Sequence, residues 1–144
     1  MNLNTYLNFP GTCAQALDFY TQHLGATILA KGTFAQMAVH GAPTNLPPGL
    51  KPEDILHARI QIGDTFVMAS DGPPERVQPM RSAYLTLSVD SNEEAERIYN
   101  VLSDGGEVFM PLAEHFFAHR FAQLRDRFGI NWIILHEKPL APPK

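Results

Sequence analysis

Apolar residues along the chain keep two rhythms, and the rhythms alternate. Leu3 to Phe9 reads as a first strand, with Leu3, Tyr6, Leu7 and Phe9 as its larger side chains. Gly11-Thr12 breaks it, and Thr12 stands where a helix N-cap belongs. Cys13, Ala16, Leu17, Tyr20 and Leu24 then recur at i, i+3, i+4, i+7 and i+11, one buried face of an amphipathic helix. Gly25 is placed to close that helix. Ala26 to His40 predicts a second strand, bulged near Gly32, and Gly41 to Glu53 a loop rich in Pro and Gly. Asp54 to Ile62 alternates strictly: His57, Arg59 and Gln61 point one way, Ala58, Ile60 and Ile62 the other. Gly63-Asp64 makes a hairpin turn into a fourth strand, Thr65 to Ser70. Asp71 to Pro79 follows as a Pro-rich connector.

The pattern then restarts. Ala83 to Val89 predicts a strand. Ser91 with Glu94 forms a capping box, and Ala95, Ile98, Tyr99 and Leu102 repeat the helical spacing. Gly105-Gly106 ends the helix, and Glu107 to Met110 is a strand. His115 to Arg125 and Asn131 to His136 form a closing hairpin. Its turn is bracketed by Asp126, which can fold its carboxylate onto backbone amides, and Gly129, which tolerates φ > 0. The order is β-α-β-β-β twice, with echoes of sequence: Tyr6-Leu7-Asn8 against Tyr84-Leu85-Thr86, and Ala16…Tyr20 against Ala95…Tyr99. Duplication of a supersecondary unit is a strong constraint. It predicts an α+β domain spanning 1–144, with module one at 1–72, a linker at 73–81, module two at 82–138 and a frayed tail at 139–144. Each module would have one sheet face under its helix. The other faces of two curved mixed sheets would enclose a cleft, the natural place for a ligand.

Composition narrows the function classes. The 144 residues are 44% hydrophobic, enough for a real core, and no run of about 18 apolar residues crosses a membrane. Net charge is -4 with charges interspersed, which argues against nucleic acid or an anionic membrane as partner. The N-terminus lacks the basic-then-apolar pattern of a secretory signal. The single Cys13 cannot form an intrachain disulfide, so a cytoplasmic setting is expected, and the thiol reads as buried and structural.

Taken together, several stretches resemble the PhnB-like family of the vicinal oxygen chelate superfamily. They are Tyr6-Leu-Asn-Phe, Ala16-Leu-Asp-Phe-Tyr20, Leu24-Gly-Ala, His57-Ala-Arg-Ile-Gln-Ile-Gly63, Met68-Ala-Ser-Asp71, Gly105-Gly-Glu-Val, Pro111-Leu and Asp126-Arg-Phe-Gly-Ile-Asn-Trp132. They span residues from about 3 to 137, in order and in spacing. The superfamily includes glyoxalase I, extradiol dioxygenases, and fosfomycin and bleomycin resistance proteins. The resemblance implies the glyoxalase/bleomycin resistance/dihydroxybiphenyl dioxygenase fold and a homodimer. Relatives have carried a methyltransferase label, which these residues do not support: no Gly-rich loop follows a first strand to open a parallel βαβ unit.

The superfamily's enzymes hold a divalent metal with His and Glu from the first and last strand of each module. Carried over position by position, that set falls on Tyr6 or Asn8, Met68, Thr86 or Ser88, and Ile133. None is a His or a carboxylate, and apolar Met and Ile do not serve a hard or borderline cation. The expectation is therefore a cleft without a metal or other cofactor, lined by Tyr6, His57, Arg59, Met68, Glu114, Phe117, His119 and Trp132, that binds a small molecule. The alternative is a lyase, isomerase or dioxygenase whose divalent metal sits on a displaced set such as His57, Glu114 and His119; a third reading makes the cleft vestigial. Whether the protein is an enzyme stays open between these readings. Asp126 as a base, and Arg59 and Arg125 as anion clamps, complete the candidates.

Overall fold

The computed structural model describes residues 1–139. The expected tail falls almost wholly outside these described residues. The chain divides into two compact units, Met1–Gln78 and Pro79 onward, inside the Pro-rich segment 73–81.

The N-terminal unit contains β1 (Thr5–Phe9), α1 (Cys13–Leu24), β2 (Thr27–Thr33), α2 (Phe34–Ala38), β3 (Ile55–Ile62) and β4 (Thr65–Asp71). Its sheet runs in the order β1-β4-β3-β2, with β1 parallel to β4 and the other pairs antiparallel. The C-terminal unit contains β5 (Leu85–Ser88), α3 (Asn92–Ser103), β6 (Glu107–His115), β7 (Ala118–Arg125) and β8 (Asn131–Glu137). Its order, β5-β8-β7-β6, repeats the first, again with one parallel pair, β5 with β8. The architecture is α+β: two four-stranded mixed sheets with a few helices.

Strand alternation decides which side of each sheet is buried. In the first sheet Leu7 pairs with Ala69, Ala58 with Ala69 and Ile60 with Val67, and all are buried. The helix α1 lies on this side and buries Cys13, Ala16, Leu17 and Tyr20. In the second sheet Ala122 pairs with Ile134 and Leu124 with Trp132, beneath Ala95, Ile98 and Leu102 of α3. Each large side chain buried this fully contributes roughly 1.5–3 kcal/mol.

Two buried carboxylates fasten the elements together. The Asp71 carboxylate, at the end of β4, accepts from Cys13 N (2.9 Å) and Ile55 N (2.8 Å), so one residue ties the starts of α1 and β3 to β4. Asp126 accepts from Phe128 N (2.8 Å) and Ile130 N (3.1 Å) within its turn, where Gly129 takes φ 91°. Its other oxygen accepts from Trp132 Nε1 at 2.8 Å. Asn131, buried beside it, donates to Met80 O (3.2 Å) and Ala83 O (3.0 Å) and accepts from Arg125 Nε (3.0 Å), which holds the segment before β5.

The structure corrects several local expectations. Residues 34–38 are helical rather than the end of a strand, because Thr33 and Gln36 form a reciprocal capping box: Gln36 N donates to Thr33 Oγ1 and Thr33 N donates to Gln36 Oε1. Thr12 occupies the N-cap of α1 without a side-chain cap bond, and the Cys13 amide goes to Asp71. Ser91 does cap α3, but Glu94 turns to Arg97, with a 2.7 Å ion pair, rather than back to the cap. β6 continues past Pro111 to His115, because it is an edge strand whose register is already irregular between Met110 and Ala113, where a missing N–H is tolerated.

Asp71→Ala leaves two buried amides without an acceptor and is expected to cost roughly 2–5 kcal/mol in urea unfolding, with Asp71→Asn losing less. Burial raises the Asp71 carboxyl above its ordinary range, against the opposing effect of the Ile55 and Cys13 amides. The folded state thus holds an extra proton between the unfolded and folded values, and stability falls as pH rises through that interval. The wild type is expected to gain on Asp71→Asn as unfolding is measured at successively lower pH.

Candidate functional site

The side of each sheet opposite its helix is the candidate surface. In the N-terminal unit this open side carries Tyr6 and Asn8 of β1, Met68 and Phe66 of β4, and His57 and Arg59 of β3. The register sets Tyr6 directly beside Met68, and Met68 beside Arg59. Tyr6 Oη lies 3.5 Å from His57 Nδ1, with the rings 6.0 Å apart. The Arg59 guanidinium sits over the Phe66 ring, 4.6 Å from its centroid. These four expected residues, Tyr6, His57, Arg59 and Met68, therefore share one face, because β1, β4 and β3 are consecutive in the sheet and all four fall on its exposed parity. Tyr6 remains half exposed. The group offers a phenol, an imidazole, a cation and a thioether within one short span, suited to orienting a ligand rather than to holding a metal.

In the C-terminal unit the corresponding side carries Thr86, Ser88, Ile133, Leu135, Phe121 and Gln123, paired as Thr86 with Ile133, Ser88 with Leu135, Gln123 with Ile133 and Phe121 with Leu135. The expected residues here are dispersed. Phe117 belongs to an aromatic cluster at the β6–β7 turn, edge-on to Phe121 at 5.1 Å and stacked on His115 at 5.5 Å. The His115 Nε2 atom is buried there with no hydrogen-bond partner. His119 packs on His136 at 4.7 Å, and His136 Nδ1 contacts Asn92 Oδ1 at 2.8 Å. Glu114 pairs with Lys138 at 3.2 Å. Trp132 lies on the opposite side, 1% exposed beneath α3, with its indole N–H given to Asp126. Its parity on β8 is that of Ile134, so it is a core residue of this unit and not part of the open face.

The positions implied for metal ligands come out as cross-strand partners: Tyr6 beside Met68 in the first sheet and Thr86 beside Ile133 in the second. The side chains at these paired positions lack His and carboxylate donors, and they do not fit a divalent cation. Among the described residues, no three His, Cys, Asp or Glu side chains converge in an arrangement able to hold a metal ion. Arg125 is committed elsewhere, donating to Met80 O (2.6 Å) and Asn131 and lying 3.5 Å from Glu107, so it does not serve as an anion clamp. Asp126 accepts from two amides of the turn and from Trp132.

A family model described as 3-demethylubiquinone-9 3-methyltransferase matches residues 1–135. The chain belongs to this family. Protein YjdN of Escherichia coli (strain K12) is 33% identical over 138 residues, 93% of this chain and 94% of that protein. The crystal structure of protein PA1353 from Pseudomonas aeruginosa is 36% identical, with a TM-score of 0.79 over 96% of this chain and 99% of that one. A Bacillus cereus structure described as a putative 3-demethylubiquinone-9 3-methyltransferase, PhnB protein, also has a TM-score of 0.79; at 21% identity over 94% of this chain and 99% of that one it shows the shared fold. No helix among the described residues is long and apolar enough to cross a membrane.

Cys13 is fully buried, and burial pushes its thiol up to about 12, with the nearby Asp71 charge adding to the shift. A thiol so placed is protonated and shielded at neutral pH. The native protein is expected to resist iodoacetamide at pH 8 and to react stoichiometrically once unfolded in urea. Comparable labelling rates in the two states, read by intact mass, would contradict this placement.

Proposed function

We propose that this PhnB-like protein binds a small organic molecule on the open face of its N-terminal sheet, without the divalent metal typical of its superfamily. The observation that carries the reading is the grouping of Tyr6, His57, Arg59 and Met68 on the face opposite α1, with Met68 at a position where a metal-binding carboxylate would be needed. The aromatic and thioether groups supply contact area, while the phenol, imidazole and guanidinium fix orientation. Phe117 and His119, at the open end of the second unit's hairpin, are assigned to the same role there.

The family's methyltransferase description does not extend to this proposal. A dinucleotide's pyrophosphate is held at a free helix N-terminus after a Gly-rich turn. Here the N-terminus of α1 follows Phe9-Pro10-Gly11-Thr12, and its first amide is already given to the Asp71 carboxylate. An enzyme built on a displaced metal is also disfavoured: Glu114 is engaged by Lys138, and His119 packs on His136. We further propose a homodimer, the commonest closed assembly for a chain of this size.

Three measurements test these statements. Elemental analysis of protein prepared without a histidine tag is expected to find no stoichiometric Ni, Zn, Mn or Fe; a chelator-removable equivalent would sink the metal-free reading. A small-molecule collection screened by thermal shift is expected to yield stabilising compounds. Stabilisation should reach about 2.7 kcal/mol at a hundredfold excess over Kd, and it should be lost in His57→Ala and Arg59→Ala. Compounds that stabilise both variants as well as the wild type would remove the site from this face. Light scattering is expected to give twice the 16.0 kDa chain mass.

A further inference from the structure

At the end of the first unit's open face, the chain leaves β4 through Gly72 and turns at Pro73 to Arg76. A cavity of about 400 Å³ lies here, lined by Asn8, Gly72, Pro73, Arg76, Val77 and Gln78. Three of these side chains carry N–H donors: the Asn8 and Gln78 carboxamides and the Arg76 guanidinium. None of the three exposed side chains hydrogen-bonds or ion-pairs with another described residue, while three amides of the turn are engaged. Gly72 N donates to Phe9 O at 2.8 Å, and Arg76 N and Val77 N both donate to Pro73 O, at 2.9 and 3.1 Å. The wall is thus fixed while its donors stay free.

The nearby acids face elsewhere. Glu75, on the same turn, lines a separate hollow with Pro48, Gly49 and Pro74. The Asp71 carboxylate is taken by Cys13 and Ile55 on the buried side. A guanidinium and two carboxamides around a cavity lined by no carboxylate match an oxyanion, since the planar guanidinium meets two oxygens at once and amide N–H groups complete the cradle. Gly72 is part of the construction, because a Cβ there would strike Asn8 Oδ1 and come within 3.0 Å of Val77 Cγ2.

We propose that Asn8, Arg76 and Gln78 form a subsite for the anionic end of the ligand, a carboxylate or a phosphoryl group. This deepens the binding reading and rests on it for what lies beyond the anion: Asn8 stands two residues along β1 from Tyr6 and pairs with Ser70, so the ligand's body extends over Tyr6 and Met68.

The subsite is tested with small anions alone, using the full chain. Inorganic phosphate and, separately, acetate are titrated at constant ionic strength while amide and guanidinium resonances are followed by NMR. The expected result is saturable shifts at the Gly72 amide, the Asn8 and Gln78 side-chain amides and Arg76 Nε–H, with affinity falling roughly tenfold or more in Arg76→Gln. Arg81→Gln, which removes an equal charge from an exposed position outside the cavity, is expected to leave affinity unchanged. Gly72→Ala should weaken binding by displacing Asn8, and folding of each variant is checked in the same spectra. Saturation by phosphate alone assigns a phosphoryl end, by acetate alone a carboxylate. The proposal is overturned if neither anion saturates these resonances, or if Arg76→Gln and Arg81→Gln lose affinity equally. The probe anions do not require His57 or Arg59, so their failure leaves the open-face reading standing. Loss of that reading in the thermal-shift screen leaves the anion subsite standing.

Discussion

Everything in this fold follows from a sheet being covered on one side only. Each four-stranded sheet has a single long helix, α1 or α3, to bury one parity of its side chains. The covered parity is small and apolar near the helix: Ala58 and Ala69 meet a helix that brings Ala16, and Ala122 meets one that brings Ala95. The other parity has no long helix over it, only Met37 of the short α2 beside Gly32 in the first sheet, so its chemistry is freer to vary. In the N-terminal unit it is mixed and polar, with Tyr6, His57 and Arg59. In the C-terminal unit it is more apolar, with Ile133, Leu135 and Phe121. A one-residue slip of any central strand would exchange the two sets, which is why the register, more than any single contact, determines where function can reside.

The two buried carboxylates show how the register is held. Asp71 and Asp126 both spend their acceptors on backbone amides, yet they act over different spans. Asp126 serves a local turn and then reaches Trp132, so it couples the turn to the core of its own unit. Asp71 reaches amides 58 and 16 residues away, and so links a helix start and a strand start that share no local sequence. Both are acids removed from water, and that costs free energy unless hydrogen bonds replace the lost solvation. Here they do, and both carboxylates are engaged in holding the fold.

This difference in span explains what was legible in the sequence. The duplicated element order, the helical faces of α1 and α3 and the Asp126–Gly129 turn were readable, because each depends on neighbours within a few residues. So was the common face of Tyr6, His57, Arg59 and Met68, which needs only strand parity. Asp71 reads as the first residue of a connector, because its partners are distant and no local pattern announces them. Trp132 reads as a cleft aromatic by composition, but its parity matches Ile134, and alternation along β8 held that information. The short helix at 34–38 was signalled by Thr33 and Gln36, whose capping spacing is legible but was outweighed by the length of the apparent strand. Arg76, Gln78 and Gly72 carry no signal at all in a Pro-rich stretch, since their significance lies in a cavity that only the folded turn creates.

The register also separates what the fold keeps from what the chemistry requires. Tyr6 beside Met68 and Thr86 beside Ile133 are both pairs across the parallel strands of their sheets, β1 with β4 and β5 with β8, and both lie on the open side. A change of residue type at such a position costs the fold little, because no packing against the long helix depends on it. Restoring donors would therefore be structurally cheap as well, while an apolar residue in their place favours contact with a ligand's carbon skeleton. A sheet that can lose its ligand set without losing its register can serve binding and catalysis from one architecture. In this chain the four side chains at those positions include no His and no carboxylate.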